Sequence, residues 1–173
     1  MSRDKILKNI RNVKDFPKPG INFKDITTLL QNHVAFNDSI NFFVEEYQDK
    51  KIDVIVGIES RGFIFASPLS LRLNAKFVLA RKPGKLPSRV IKENYDLEYG
   101  IDSIEIHKDA ISEGEKVLII DDLLATGGTA KATGNLVERL GGEILGFGFL
   151  IKLSSLNGES LLKGKNIFSI IDY

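Results

Sequence analysis

Five short apolar runs rich in Val and Ile recur along the chain: Val54–Ile58, Phe77–Ala80, Val117–Ile120, Leu145–Ile151 and Ile167–Ile171. None alternates with polar residues, so each suits a strand covered on both faces. Helical patterns lie between them. Ile40, Phe43, Val44 and Tyr47 fall at i, i+3, i+4 and i+7, and Leu136, Val137 and Leu140 form a stripe that stops at Gly141-Gly142. Ile6, Ile10 and Val13 mark a further stripe, predicting an amphipathic opening helix over MSRDKILKNIRNV. Strands that alternate with helices predict an α/β fold with a mainly parallel β-sheet flanked by helices.

At 173 residues the expectation is one domain, 1–173. A chain of that size buries roughly 70% of its unfolded surface and needs no metal or disulfide to hold a core. It has no cysteine, which excludes a disulfide scaffold, a zinc ribbon and thiol catalysis. No apolar run approaches the roughly 18 residues of a membrane span. The opening segment has no unbroken apolar stretch and no small-residue cleavage site, so a cytoplasmic protein is expected.

The formal net charge of +1 hides an asymmetry. Residues 60–92 hold Arg61, Arg72, Lys76, Arg81, Lys82, Lys85, Arg89 and Lys92 and no acid, whereas 93–122 hold ten acids against Lys108 and Lys116. Two solvated faces would account for this. A nucleic-acid footprint is disfavoured, because it usually gives the whole domain a high pI. A local basic stretch beside carboxylates better suits a small polyphosphate substrate.

Two segments break the α/β rhythm. Residues 15–30, with two prolines and a glycine, read as an ordered loop. Residues 82–103 hold Pro83, Gly84 and Pro87 among charges, and alternation at Arg89–Ile91 and Ile104–Ile106 suggests a β-flap. A loop this long inside a compact domain is usually functional or disordered.

The chemistry concentrates in VLIIDDLLATGGT, residues 117–129. A buried strand ends in Asp121 and Asp122, and Thr126-Gly127-Gly128-Thr129 then leads into a helix. This is the pattern of an anion site: glycines let backbone N–H groups approach a phosphate, the threonines add donors, and the helix N-terminus adds positive potential. The two acids would repel that phosphate, and suit sugar hydroxyls or a hydrated metal. A turn with Asp caps is the plain alternative for ATGGT alone. No GxxxxGK[ST] or strand-linked GxGxxG is present, so neither an ATPase loop nor a dinucleotide site is supported. His33 and His107 stand apart from other metal-ligating residues and read as structural or surface groups.

VLIIDDLLATGGT resembles the phosphoribosyl-pyrophosphate (PRPP) signature of the type I phosphoribosyltransferases. Further segments are similar to the adenine-using branch of that family, in its order and spacing: FPKPGINFKDIT (16–27), VGIESRGFIFASPLS (56–70), ARKPGKLP (80–87) and YDLEYGIDSIEIHKDAI (95–111). The resemblance covers essentially the whole chain. It implies a type I phosphoribosyltransferase-like fold with a small hood (about 15–30) and a flexible loop (about 82–103). The implied reaction joins adenine to PRPP, giving AMP and pyrophosphate, with Mg²⁺ as cofactor and a homodimer as the assembly.

The same resemblance implies site roles. Asp121 and Asp122 would bind the ribose hydroxyls, and Ala125, Thr126, Gly127, Gly128 and Thr129 the 5-phosphate. Glu59, Ser60, Arg61, Arg81, Lys82 and Lys85 would serve the pyrophosphate, the last three partly across a dimer interface. Mg²⁺ would be held mainly by PRPP, with a water-mediated contact to Glu59. Asn22, Phe23 and Lys24 would bind adenine, with Phe23 stacked on the base. Glu98 would transfer the proton, and Tyr95 would help the loop close. A transferase for another purine base, or a PRPP-sensing regulator, are the competing readings; the INFKD and YDLEYG segments argue against the first.

Overall fold

The structure, a computed structural model, describes residues 1–96 and 100–173. Five parallel strands form the central sheet: β3 (Val54–Ile58), β4 (Lys76–Ala80), β7 (Lys116–Leu124), β8 (Glu143–Lys152) and β9 (Ile167–Asp172). Their order is β4-β3-β7-β8-β9. Every one of the five runs expected as a strand is one, although the edge strands β4 and β9 are only partly buried.

The lack of alternation has a direct cause, since helices or a hairpin cover both faces of the sheet. On β7, Leu118 and Ile120 join the core under α3 (His33–Tyr47) and α4 (Gly62–Leu73), together with Phe43, Phe65 and Leu69. Val117 and Ile119 join the opposite core, with Leu136 and Val137 of α5 (Gly128–Arg139) and with Phe147 and Phe149. Phe43 lies so close to the sheet that a Cβ on Gly148 would stand 2.6 Å from Ile120 Cδ1 and 3.1 Å from the Phe43 ring.

The strand order also fixes where a ligand can enter. From β3 the chain crosses to β4 on one side, and from β7 it crosses to β8 on the other. The carboxyl ends of β3 and β7 are therefore a topological switch point, where connecting loops diverge and leave a crevice.

Three local expectations are corrected. The opening helix, α1 (Arg3–Lys8), stops before Val13, and Arg11–Lys14 instead forms β1, paired antiparallel with β2 (Asn22–Asp25). Ile6 and Ile10 remain buried, because a single turn past the helix end satisfies their spacing. Val13 stands opposite Phe23, and an Arg11–Asp25 ion pair of 2.5 Å ties the strand ends. Residues 15–30 accordingly contribute β2 and the start of a short helix, α2 (Thr27–Gln31), in place of a plain loop.

The second correction concerns the long basic-to-acidic segment. It contains an antiparallel hairpin of β5 (Val90–Asp96) and β6 (Ile101–His107), longer than the two short strands expected. Ile104 and Ile106 of β6 are fully buried, and Arg81 and Glu105 bridge the hairpin to the end of β4. Thirdly, β7 does not end before the acids. It runs on to Leu124 because β8 keeps pairing with it, Asp121 opposite Phe149 and Leu124 opposite Lys152.

Candidate active site

Two loops leave the switch point. After β3 come Glu59-Ser60-Arg61, and α4 begins at Gly62. Its N-terminus is pressed onto the end of β7: a Cβ on Gly62 would stand 2.7 Å from the Ile120 carbonyl and 3.0 Å from Asp121 Oδ1. After β7 come Ala125-Thr126-Gly127, and α5 begins at Gly128. A cavity of about 320 Å³ lies between the loops, lined by Glu59, Ser60, Arg61, Lys82, Asp121, Asp122 and Thr129 among others. A smaller one of about 80 Å³ is lined by Asp121 and residues 123–130 and shares Asp121, Leu123 and Thr129 with it. Residues expected for ribose and 5-phosphate, and Glu59, Ser60, Arg61 and Lys82 of those expected for pyrophosphate, therefore border two adjoining cavities, while Arg81 and Lys85 line neither.

Each cation whose partner is defined at that space is paired with a carboxylate of the chain. Arg61 Nε stands 3.0 Å from Asp122 Oδ2. The Arg81 guanidinium donates to both oxygens of Glu59, at 2.8 and 3.2 Å, and the Lys82 backbone N–H donates to Glu59 Oε2 at 2.8 Å. The Lys82 ammonium donates to Asp102 and, at 2.5 Å, to the Tyr95 hydroxyl. A further bond from Arg81 to the Lys85 carbonyl, 3.2 Å, leaves the Lys85 side chain at the exposed edge.

The electrostatics of the acids differ sharply. Arg81 holds the Glu59 carboxyl below its usual range, chiefly through the guanidinium hydrogen bond. Burial pushes Asp121 up well above its ordinary value, and the neighbouring Asp122 pushes it further. Asp122 is raised too, again mainly by burial, although the Arg61 charge opposes the rise. Asp121 Oδ1 accepts from the Asp122 backbone N–H at 2.8 Å, which fixes the orientation of the pair.

The 125–129 loop is braced from outside the motif. Gly127 has φ +84°, and a Cβ there would stand 2.3 Å from the Gly158 carbonyl oxygen. A Cβ on Gly158 would stand 2.1 Å from the Ala125 carbonyl oxygen and 2.9 Å from the Gly127 nitrogen. Gly158 is thus a loop residue that the sequence reading missed. The Asn157-Gly158 turn signal was present, but nothing in the sequence says which loop it touches.

Of the residues expected for the base, the β1–β2 hairpin brings Phe23 against Arg61 of the cavity wall. Half-buried Phe23 packs edge-on against Phe16, with centroids 5.2 Å apart, and the Arg61 guanidinium lies 5.3 Å from its ring centre. Lys24 spends its ammonium on Asn12 Oδ1, at 2.7 Å, and on the Tyr173 ring, at 3.7 Å. Asn22 is exposed. Tyr95, expected to close over the site, is 8% exposed and belongs to the core. Glu98 lies outside the described residues. His107 accepts from the Ser88 N–H at 3.3 Å and so anchors the 82–89 segment.

Residues 25–172 match the phosphoribosyl transferase domain family. The adenine phosphoribosyltransferase of Christiangramia forsetii is 55% identical over 95% of this chain and 96% of its own. That of Chloroflexus aurantiacus is 50% identical over the whole of both. The crystal structure of adenine phosphoribosyltransferase from Thermoanaerobacter pseudethanolicus superposes with a TM-score of 0.97 at 49% identity, covering 99% of this chain and 100% of that one. The Saccharomyces cerevisiae enzyme, complexed with adenine and D-2,5-dideoxy-2,5-imino-altritol 1,6-bisphosphate, superposes at 0.91 with 40% identity, covering 97% of each chain.

Two expectations follow from this geometry. Gly158→Ala forces the 125–127 backbone to shift, and should cost about 1–3 kcal/mol of stability while weakening inorganic phosphate binding. Unchanged melting and unchanged phosphate affinity would show that the loop is not braced there. Asp121→Asn should act the other way on stability. The raised Asp121 carboxyl makes its ionised form unfavourable in the fold, so the variant, which keeps the acceptor for Asp122 N–H, should melt higher at pH 8 by about 2–4 °C per kcal/mol relieved. That gain should shrink as pH falls through the raised carboxyl's range and vanish below about 4, where the unfolded carboxyl is protonated as well. A pH series of melting curves decides this, and an Asn variant less stable at pH 8 contradicts it.

Proposed function

The chain belongs to the phosphoribosyl transferase family, and from that premise we infer that it catalyses transfer of the 5-phosphoribosyl group from PRPP to N9 of adenine, giving AMP and pyrophosphate in purine salvage. The observation that carries the reading is the pair of adjoining cavities at the switch point, where the 125–129 loop, two acids and the paired cations Arg61 and Lys82 meet. Full-length identity of about half to adenine phosphoribosyltransferases supports the choice of base.

In this account the 5-phosphate rests on the 125–129 loop, with amides and the Thr126 and Thr129 hydroxyls donating to it. The ribose hydroxyls donate to Asp121 and Asp122. The pyrophosphate draws on Ser60, Arg61, Arg81, Lys82 and Lys85. Displacement at C1′ spreads positive charge over the ribose ring and negative charge over the leaving group, so acids beneath the sugar and cations around the pyrophosphate each meet the charge that develops. Phe23 stacks on the base, while backbone groups of Asn22 and Lys24 read its edge.

Among the described residues no group of three or more His, Asp or Glu stands ready to hold a metal. Both Glu59 oxygens already accept hydrogen bonds. This donor set fits a Mg²⁺ carried mainly by PRPP, with Glu59 reaching it through water; when bound, the ion neutralises part of the leaving group's charge. A homodimer is the proposed assembly. Arg81, Lys82 and Lys85 would serve the pyrophosphate partly across the interface; Lys82 lines its own chain's cavity, and the Lys85 side chain is exposed. No helix among the described residues is long and apolar enough to cross a membrane, and the cytoplasm is the proposed compartment, because charged PRPP does not diffuse through a bilayer.

Glu98 is the proposed proton-transfer group, relieving N9 of its proton as the glycosidic bond forms. Incubation with PRPP, MgCl₂ and each purine base in turn should yield AMP from adenine and no other nucleotide at a comparable rate; IMP or GMP as the main product overturns the assignment. Glu98→Gln should lower turnover roughly 10²–10⁴-fold with PRPP binding preserved. Near-normal turnover, with chemistry shown to be rate-limiting, would move the proton elsewhere.

A further inference from the structure

Two cations, Arg61 and Lys82, line the cavity, and Arg81 adjoins it through its pair with Glu59; each has a carboxylate partner. Glu59 and Asp122, which pair with Arg81 and Arg61, belong to the cavity's own loops. The third partner does not. Asp102 lies on β6 of the hairpin, within the 95–111 segment but with no role assigned to it, and in the sequence was one acid among ten.

Its carboxylate is firmly placed. Asp102 Oδ1 accepts from the Ser103 N–H at 2.7 Å, and Oδ2 accepts from the Tyr95 hydroxyl at 3.2 Å and from the Lys82 ammonium. Tyr95 is buried, so its hydroxyl is a fixed point to which Lys82 also donates. The Lys82 main chain is fixed as well, through its N–H on Glu59. Only the four-carbon stem is left to choose where the charge goes, and it lines the cavity while ending on the hairpin.

We propose, on the reading of this cavity as the PRPP site, that Asp102 is a positioning residue for the leaving group: it holds the Lys82 ammonium on the hairpin and competes with pyrophosphate for it. Pyrophosphate gains Lys82 only by displacing Asp102, so the pair sets how tightly the product is held and links its release to the hairpin. The charge state supports this competition. Burial works against the Lys82 ammonium, but the bonds to Asp102 and Tyr95 outweigh it and leave the pKa above the ordinary lysine value. Lys82 in turn holds the Asp102 carboxyl below its usual range.

Asp102→Asn is the informative change. With Oδ1 retained on the Ser103 N–H, the new Nδ2 faces the Lys82 ammonium, so two donors oppose each other and Lys82 is released. Calorimetric titration of pyrophosphate with MgCl₂ into the wild type, Asp102→Asn, Lys82→Met and the double variant reads the effect without turnover. Asp102→Asn should bind pyrophosphate roughly two- to fivefold more tightly at low ionic strength, the scale of a partly exposed ion pair. Lys82→Met should bind it more weakly, and the double variant should match Lys82→Met. In steady state, Asp102→Asn should strengthen product inhibition by pyrophosphate and leave the adenine KM unchanged.

Unchanged or weaker pyrophosphate affinity in a folded Asp102→Asn overturns the proposal, as does a gain that survives without Lys82. Unchanged affinity in Lys82→Met overturns it independently, with Asp102 left in place. If the wild type makes AMP and binds pyrophosphate while these variants behave alike, the competition fails and the PRPP reading stands. A wild type that does neither removes both.

Discussion

The parallel register of β3 against β7, Val54 opposite Val117 through Gly57 opposite Ile120, is the constraint on which the site depends. It brings two carboxyl-terminal strand ends side by side while the crossovers that follow turn away from each other. Two helix N-termini, of α4 and α5, thereby open onto one crevice. Glycine stands at both turns because the packing requires it: Gly62 sits against β7 with no room for a Cβ, and Gly127 sits against Gly158 in the same way. Backbone N–H groups are thus presented to whatever anion enters.

A crevice that gathers such charges must also balance them. Asp121 and Asp122 are adjacent and largely withdrawn from water, which raises both and makes their joint ionisation costly. Arg61 offsets part of that cost through Asp122, and the same guanidinium covers the Phe23 ring. One cation thus touches residues assigned to ribose and base while lining the space assigned to pyrophosphate. Stability is spent at this point in return for hydroxyl acceptors of high basicity, and a substrate bringing donors to the acids and phosphates to the cations satisfies both sets together.

Much of this was legible in the chain. The five β-branched runs identified the sheet because a strand covered on both faces cannot alternate, and VLIIDDLLATGGT located the strand–loop–helix turn because only glycine allows as close an approach as Gly127 makes to Gly158. What was not legible depended on partners distant in sequence. Val13 looked helical by its spacing from Ile6 and Ile10, but pairing with β2 won. Asp121 and Asp122 looked like residues beyond a strand end, yet β8 extends the ladder past them. Gly158 and Asp102 carried no local signal of their roles, since one acts by what it leaves room for and the other by a lysine twenty residues away.

The central claim is that the carboxylates and cations of the crevice exchange each other for substrate. A crystal structure of the protein with Mg²⁺ and PRPP, or a stable analogue of it, tests this most directly. The account predicts the 5-phosphate on the 125–129 amides, ribose hydroxyls donating to Asp121 and Asp122, and Arg61 and Lys82 turned from Asp122 and Asp102 onto the pyrophosphate. Substrate bound elsewhere, or bound here with the Arg61–Asp122 and Lys82–Asp102 pairs both intact, would contradict it.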